Sequence, residues 1–179
     1  MKILGVGGTL RKGSYSKALL LEAQKLAPEG IVIELTDIGN FPLYNPDIEM
    51  PSVVQDFKNK VKAADAILFS TAEYNYSVPG SLKNALDWAS RPYGDNSWED
   101  KPAAIMSESV GMLGGVKAQY HLRQMMLFIN MHPLNRPEVV VGNVAEKFNA
   151  QGNLTDEHTK EKIKELVQSL VDWTERIKK

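Results

Sequence analysis

The chain of 179 residues contains no cysteine. Disulfide bonds, zinc–thiolate sites, iron–sulfur clusters and thiol-based redox catalysis are therefore excluded, and any redox chemistry must come from a bound cofactor. The histidines His121, His132 and His158 are not spaced as metal ligands. The sequence therefore gives no support for a metal site.

A strong net charge and a long apolar run are also missing. Lysine and arginine number 21 against 22 aspartates and glutamates, and the formal net charge is -1. This balance offers no long-range attraction for nucleic acid or an anionic membrane, so we expect neither as a partner. No segment reaches the ~18 consecutive apolar residues of a membrane span. Because Arg11 and Lys12 interrupt the N-terminal apolar run, we expect no signal peptide and a cytoplasmic location.

What the sequence does contain is an alternation of short apolar runs with segments of helical periodicity. Strands are predicted at residues 3–6, 31–35, 66–69, 103–106 and 137–141. Each is followed by a helical pattern, and this alternation predicts an α/β fold with helices on both faces of a parallel sheet. Ser16 is the expected N-cap of the first helix, and Pro51 the expected first residue of the second. With no repeat or linker, we expect one domain over residues 1–179.

The strand order decides where a ligand binds. For five parallel strands we predict a flavodoxin-like three-layer sandwich with the order 2-1-3-4-5. Open α/β sheets bind ligands beyond the carboxyl ends of their strands, at the point where the order reverses. Here that point lies between strands one and three. The loops after strands one, three and four should therefore line the site.

The first of these loops, residues 7–16, is rich in glycine, hydroxyl groups and positive charge. Its backbone N–H groups, the following helix dipole and Arg11 would together hold a phosphate, and Thr9, Ser14 and Ser16 each offer a hydroxyl. The loop is not a nucleotide-binding P-loop, because Ser14 stands where the lysine belongs. The alternative is a plain tight turn with solvated basic residues.

The other two loops suit a flat ligand. In residues 71–80, Tyr74 and Tyr76 can flank a planar ring, and Asn75 offers donors and an acceptor to its edge. The glycines of residues 107–115 permit close approach of the backbone to such a ring. The alternatives are that the tyrosines cap the core and that the glycine-rich loop is a flexible connector.

Three segments resemble one known family. Residues 8–14 resemble the G-S-L-R-K-G-S loop of the NAD(P)H-dependent FMN reductase family, which includes bacterial chromate, quinone and azo-dye reductases. Residues 73–80 resemble its P-E-Y-N-Y-S-V-P-G flavin loop, and residues 114–124 its G-G-x-R-x-Q-Y-H-L-R-Q segment. The three occur in the family's order, and the likeness extends to about Val141.

This resemblance implies non-covalent FMN at the predicted edge of the sheet. The phosphate would be held by residues of the first loop: Arg11, Ser14, Tyr15 and Ser16. The isoalloxazine would be contacted by residues of the second: Glu73, Tyr74, Asn75 and Tyr76. At the ring's other edge would lie Ser107 and Glu108.

Three positions depart from the family pattern. Thr9 replaces a serine and keeps the hydroxyl, whereas Ala72 replaces a proline and loosens its turn. Glu108 stands where small or hydroxyl residues are usual. A carboxylate there would repel a reduced, anionic flavin or redirect the choice of substrate.

The resemblance also implies an activity and an assembly. Hydride would pass from NADPH or NADH to N5 of FMN, and then by a ping-pong cycle to a quinone, azo compound, metal oxyanion or free flavin. Because the flavin supplies this chemistry, no catalytic side chain is named. A homodimer or homotetramer with flavin sites near the subunit interface is expected.

Two other functions remain open. A flavodoxin-like carrier would exchange single electrons with a protein partner, although flavodoxins are usually strongly acidic and this net charge is only -1. A flavin-binding sensor would turn over slowly. A flavin-free hydrolase or NTPase is disfavoured, because the sequence has neither G-x-S-x-G nor the P-loop lysine.

Overall fold

The computed structural model describes residues 1–178; Lys179, the last residue of the expected domain, lies outside the described residues. The strands are β1 (Lys2–Gly7), β2 (Val32–Thr36), β3 (Ala66–Ala72), β4 (Pro102–Glu108), β5 (His132–Pro133) and β6 (Val139–Val141). The helices are α1 (Tyr15–Lys25), α2 (Ser52–Ala63), α3 (Gly80–Ala89), α4 (Val116–Phe128) and α5 (Glu157–Ile177). A 3₁₀ turn spans Val144–Lys147.

All strands join one parallel sheet of order β2-β1-β3-β4-β5, with β6 also paired to β4. The predicted order is therefore confirmed, but two short strands, β5 and β6, share the fifth position beside β4. His132 pairs with Pro102 at the start of β4, and Val141 pairs with Glu108 at its end. The prediction of one strand at 137–141 missed β5, because two residues are too few for a periodic pattern.

Successive residues of each strand face opposite sides of the sheet, which places a separate core on each face. Ile67 and Phe69 pack in the core beneath α2, α3 and α4. Ala66 and Leu68 pack in the core beneath α1 and α5. Because both faces of β3 and β4 are covered, every residue of these strands is buried, as expected for central parallel strands. No helix within residues 1–178 is long and apolar enough to cross a membrane.

Two predicted helix starts were wrong by one or two residues. Ser14, not Ser16, is the N-cap of α1, and its hydroxyl accepts a hydrogen bond from the N–H of Lys17 at 3.1 Å. A capping hydroxyl must precede the helix to reach a first-turn N–H, and Ser16 already lies inside that turn. Pro51 likewise precedes α2 as its N-cap, with extended backbone.

One lysine is buried within this fold. Lys58 of α2 is 0% exposed. Its Nζ donates to the carbonyl of Arg91 and, at 2.9 Å, to that of Asp95, whose carboxylate lies 3.0 Å away. Three acceptors therefore satisfy the buried ammonium, which ties α2 to the loop after α3.

Lys58→Ala should lower the free energy of unfolding by about 2–4 kcal/mol, since it removes a buried stem and leaves carbonyls without their donor. Chemical denaturation would measure this change. Lys60→Ala is the control on the same helix, because Lys60 is half exposed and pairs with Glu34 at 3.4 Å. It should cost less than about 1 kcal/mol. Equal costs for the two variants would contradict this account of Lys58.

Candidate active site

Three loops meet in one cleft beyond the carboxyl ends of β1, β3 and β4. The cleft has a volume of about 140 Å³ and lies where the strand order reverses, between β1 and β3. Its lining comes from all three loops: Thr9, Arg11, Ser14, Tyr15, Ala72, Glu73, Tyr74, Glu108, Ser109 and Val110. Seven of the eleven residues predicted from the sequence therefore line it. The other four are Ser16, Asn75, Tyr76 and Ser107.

One end of the cleft brings together groups that suit an anion. The hydroxyl of Thr9 donates to that of Ser14 at 2.8 Å, which orders the loop before α1. The first N–H groups of a helix have no partner within the helix, and they carry its positive dipole end. The Arg11 guanidinium lies 5.8 Å from the centre of the Tyr15 ring and adds a positive charge. Together these groups suit a phosphate.

Glu108 lies against this anion-binding end. Glu108 is only 5% exposed, and its Oε1 accepts a hydrogen bond from the Ser16 hydroxyl at 2.8 Å. Burial raises the pKa of the Glu108 carboxyl, while the Ser16 hydroxyl and the charge of Arg11 oppose that rise. The resemblance implied a place at the ring's other edge, whereas the carboxyl lies at the first turn of α1.

Ser107 has a supporting role in this structure. Its hydroxyl is buried, donates to the carbonyl of Gly114 at 2.8 Å and accepts from Nε2 of Gln119 at 3.1 Å. The same amide nitrogen donates to the carbonyl of Val139 at 2.7 Å. These bonds hold the end of β4 to the glycine-rich loop, to α4 and to β6.

Glu73 also positions an element. Its Oε2 accepts hydrogen bonds from the backbone N–H groups of Lys117 at 3.0 Å and Ala118 at 3.3 Å. The carboxylate therefore caps the N-terminus of α4, where Gly115 has no side chain to do so. This cap ties the loop after β3 to the start of α4.

The tyrosines predicted to flank a ring lie on a tight turn. Tyr74 and Ser77 exchange backbone hydrogen bonds of 2.8 and 3.0 Å. Between them, Asn75 and Tyr76 have φ of 50° and 68°, which asparagine tolerates well and tyrosine adopts rarely. The turn leaves Tyr74 49% and Tyr76 66% exposed. The Lys117 ammonium lies 3.0 Å from the centre of the Tyr76 ring, a cation–π contact that favours this orientation.

A second cavity of about 520 Å³ lies on the other side of the β1–α1 loop, beyond the ends of β1 and β2. It shares Thr9 and Arg11 with the smaller cleft and is lined also by Lys12, Lys17 and Asp37. It has the larger volume, but neither the tyrosine turn nor the glycine-rich loop lines it. The smaller cleft is therefore the better candidate, because all three predicted loops contribute to it and it lies at the strand-order reversal.

Comparison with known proteins agrees with this geometry. The family model described as NADPH-dependent FMN reductase matches residues 1–146. This chain belongs to the NADPH-dependent FMN reductase family. Membership makes it an oxidoreductase that uses FMN with NAD(P)H, as predicted from the three motifs.

Relatives of this FMN reductase family member match it over nearly the whole chain. An NAD(P)H-dependent FMN reductase of Pseudomonas aeruginosa is 48% identical, covering 99% of this chain and 97% of its own. An NADPH:quinone oxidoreductase of Arabidopsis thaliana is 46% identical, covering 99% and 93%. The solved flavoenzyme NAD(P)H:(acceptor) oxidoreductase FerB of Paracoccus denitrificans is 39% identical, covering 98% and 97%, with a TM-score of 0.90.

The donor set of the cleft fits FMN. A phosphate monoester needs N–H and O–H donors and a cation, which the α1 first turn, Thr9, Ser14 and Arg11 provide. A planar ring needs an aromatic or glycine-rich surround, which the tyrosine turn and residues 109–115 provide. Among residues 1–178 no group of three or more potential metal ligands occurs.

Some residues of this reductase site were missed from the sequence. Ser109 and Val110 line the cleft, and their position directly after β4 was the available signal. Gly115 was expected, with the other glycines of residues 107–115, to permit close approach of the backbone to a ring, and the structure shows a different need for it. Its φ is 81°, and a Cβ there would lie 2.9 Å from the Glu108 carbonyl oxygen and 3.0 Å from the Ser107 Cβ. A glycine is therefore required for the end of β4 to approach α4.

Gly115→Ala should destabilise the protein by about 1–3 kcal/mol, because alanine strains both the positive φ and this close approach. Thermal and chemical denaturation would measure the change. Gly80→Ala is the control: Gly80 begins α3, and an added Cβ meets nothing within 4 Å. That variant should be neutral or stabilised by up to about 1 kcal/mol. An equally stable Gly115→Ala protein would disprove the packing argument.

Proposed function

We propose that this protein is an FMN-dependent NAD(P)H:quinone oxidoreductase. One observation carries the proposal: a single cleft at the strand-order reversal has an anion-binding helix start at one end and an exposed tyrosine turn beside it. Relatives named for quinone reduction support the choice of acceptor, among them a 2-hydroxy-1,4-benzoquinone reductase from a Burkholderia species, 39% identical over 97% of this chain.

The phosphate end would bind FMN through Arg11, the hydroxyls of Thr9 and Ser14, and the N–H groups of Tyr15 and Ser16. Charge-assisted hydrogen bonds from a guanidinium to a phosphate are stronger than neutral ones. The N–H groups are already oriented by the helix, so little ordering is required on binding. These residues anchor the cofactor and take no part in the electron transfer.

The ring end would be formed by Tyr74, Asn75 and Tyr76 and by the backbone of Glu73. When bound, FMN supplies hydride transfer from NAD(P)H and reduction of a second substrate. The exposed tyrosine turn leaves one side of the cleft open to solvent, so that nicotinamide and quinone would occupy the same surface in turn. The net reaction moves a hydride from NAD(P)H and a proton from solvent to the quinone, which leaves as hydroquinone.

If nicotinamide and quinone occupy the same surface in turn, the mechanism is ping-pong. An open surface would also admit azo compounds, metal oxyanions or free flavin as acceptors.

The rival function is a flavodoxin-like electron carrier or a flavin sensor. The balanced charge of the chain, -1 in total, does not favour docking of the carrier type. Rapid oxidation of NAD(P)H distinguishes the proposal from both rivals.

We also propose a homodimer or homotetramer. The C-terminal end of α4 exposes apolar side chains, with Leu127 82% and Phe128 75% exposed, and burying them against a second subunit would be favourable. The single domain over residues 1–179, the cytoplasmic location and the absence of nucleic-acid or membrane partners stay predictions.

The experiment that tests the proposed function begins with FMN-reconstituted, desalted protein kept without oxygen. NADPH or NADH should bleach the flavin absorbance, and added 1,4-benzoquinone should restore it. Steady-state rates at several quinone concentrations should give parallel double-reciprocal lines. Intersecting lines would contradict the ping-pong cycle, and retained flavin that neither nucleotide bleaches would favour the carrier or the sensor.

Arg11→Ala should weaken FMN binding about tenfold or more, because it removes a charge-assisted contact to the phosphate. Riboflavin, which has no phosphate, should bind almost as before. Lys12→Ala is the control, since Lys12 is the next residue and does not line the smaller cleft. Quenching of flavin fluorescence would measure all dissociation constants. A larger loss of FMN affinity in Lys12→Ala than in Arg11→Ala would move the phosphate to the larger cavity.

A further inference from the structure

A carboxyl side chain of the protein lines the same cleft as the proposed phosphate donors Arg11 and Ser14. The carboxyl of Glu108 is buried and accepts the hydrogen bond of the Ser16 hydroxyl at 2.8 Å. Ser16 is the second residue of α1, and its N–H belongs to the donor set proposed above for the phosphate. The backbone N–H of Ser16 also stabilises the Glu108 carboxylate and opposes the rise of its pKa, so the carboxyl competes for a donor that FMN would need.

Among residues 1–178, only one positive side chain stands near Glu108 in the lining of the cleft. Arg11 from the β1–α1 loop is the cation in the lining of the cleft, and the other ionisable side chains there are Tyr15, Tyr74 and Glu73. The Glu73 carboxylate is engaged with the start of α4. The residue paired with Glu108 on β6, Val141, is aliphatic. One guanidinium would thus have to serve both a buried carboxylate and a phosphate.

We propose that Glu108 is an internal competitor of the FMN phosphate, which makes FMN binding require either protonation of this carboxyl or its release from Ser16. The proposal rests on the FMN site proposed above. It assigns Glu108 to the control of cofactor affinity and of the preference between phosphorylated and unphosphorylated flavins. A contact with the isoalloxazine is no part of that role.

The direction of the pH dependence follows from this competition. Protonated Glu108 places no charge beside the phosphate, so FMN binding is coupled to proton uptake and FMN affinity falls as pH rises through the Glu108 pKa. Burial raises that pKa, which moves the transition toward neutral pH. The FMN phosphate itself gains its second charge near pH ~6, and this acts in the opposite direction because the dianion binds more strongly. A variant without the carboxylate shows the effect of the phosphate ionisation alone, so comparison with the parent protein gives the effect of Glu108.

The test measures dissociation constants of FMN and riboflavin between pH 5 and 8 for the full chain. The variants are Glu108→Gln, which keeps the shape of the side chain, and Glu108→Ser, which is smaller and keeps a hydroxyl. Glu175→Gln is the matched charge control. It removes one carboxylate three residues before Lys178, which pairs with Asp65, and Asp65 directly precedes β3, at the amino end of the sheet away from the cleft.

Both Glu108 variants should bind FMN about tenfold or more tightly at pH 8, with riboflavin affinity nearly unchanged, because one close like charge has been removed. Their FMN affinity should no longer fall with rising pH. Glu175→Gln should behave as the parent protein does. Two variants of different size guard against a folding defect in either one, and circular dichroism checks each.

The inference is overturned if the Glu108 variants bind FMN equally or more weakly, or if both flavins change in parallel. These outcomes leave the proposed FMN site standing, provided that the parent protein binds FMN. If neither parent nor variant binds FMN, the proposed site fails and the inference fails with it. The two failures are therefore distinguishable in one data set.

Discussion

The first turn of α1 is the constraint on which the rest of the site depends. It follows β1 at the strand-order reversal, and Ser14 and Tyr15 at its start line one cleft with residues at the ends of β3 and β4. Parallel register then fixes the neighbours: Gly7 pairs with Ser70, and Ala72 with Glu108. The carboxyl ends of β1, β3 and β4 lie side by side, so the α1 start, the tyrosine turn and the glycine-rich loop meet there. Supporting contacts such as the Glu73 cap of α4 hold these loops in place.

Much of the fold could be predicted from the sequence, because the signals that decide it are local. Apolar runs in β3 and β4 indicate strands covered on both faces, and the helical patterns between strands require a parallel sheet. The strand order then follows from the connections along the chain. The position of the site follows from that order, because ligands bind where the order reverses. The family also follows from local sequence, because the segments 8–14, 73–80 and 114–124 each resemble a family motif.

The contacts inside the site could not be predicted in this way. Ser16 and Glu108 are separated by 92 residues, and no local pattern states that their side chains point at each other. The bonds from the start of α4 to the Glu73 carboxylate were likewise not predicted, because the sequence does not show which anion the fold brings near a helix N-terminus. Side-chain direction depends on long-range packing, whereas element type depends on neighbours along the chain.

A crystal structure of the FMN complex tests the central claim most directly. The account predicts the phosphate at the first turn of α1 in the smaller cleft, within hydrogen-bond distance of the Ser16 N–H and beside Arg11. It also predicts the ring against the turn at residues 74–77 and the Glu108 carboxyl displaced from Ser16. A phosphate bound instead in the larger cavity, beside Lys12 and Lys17, would contradict the account.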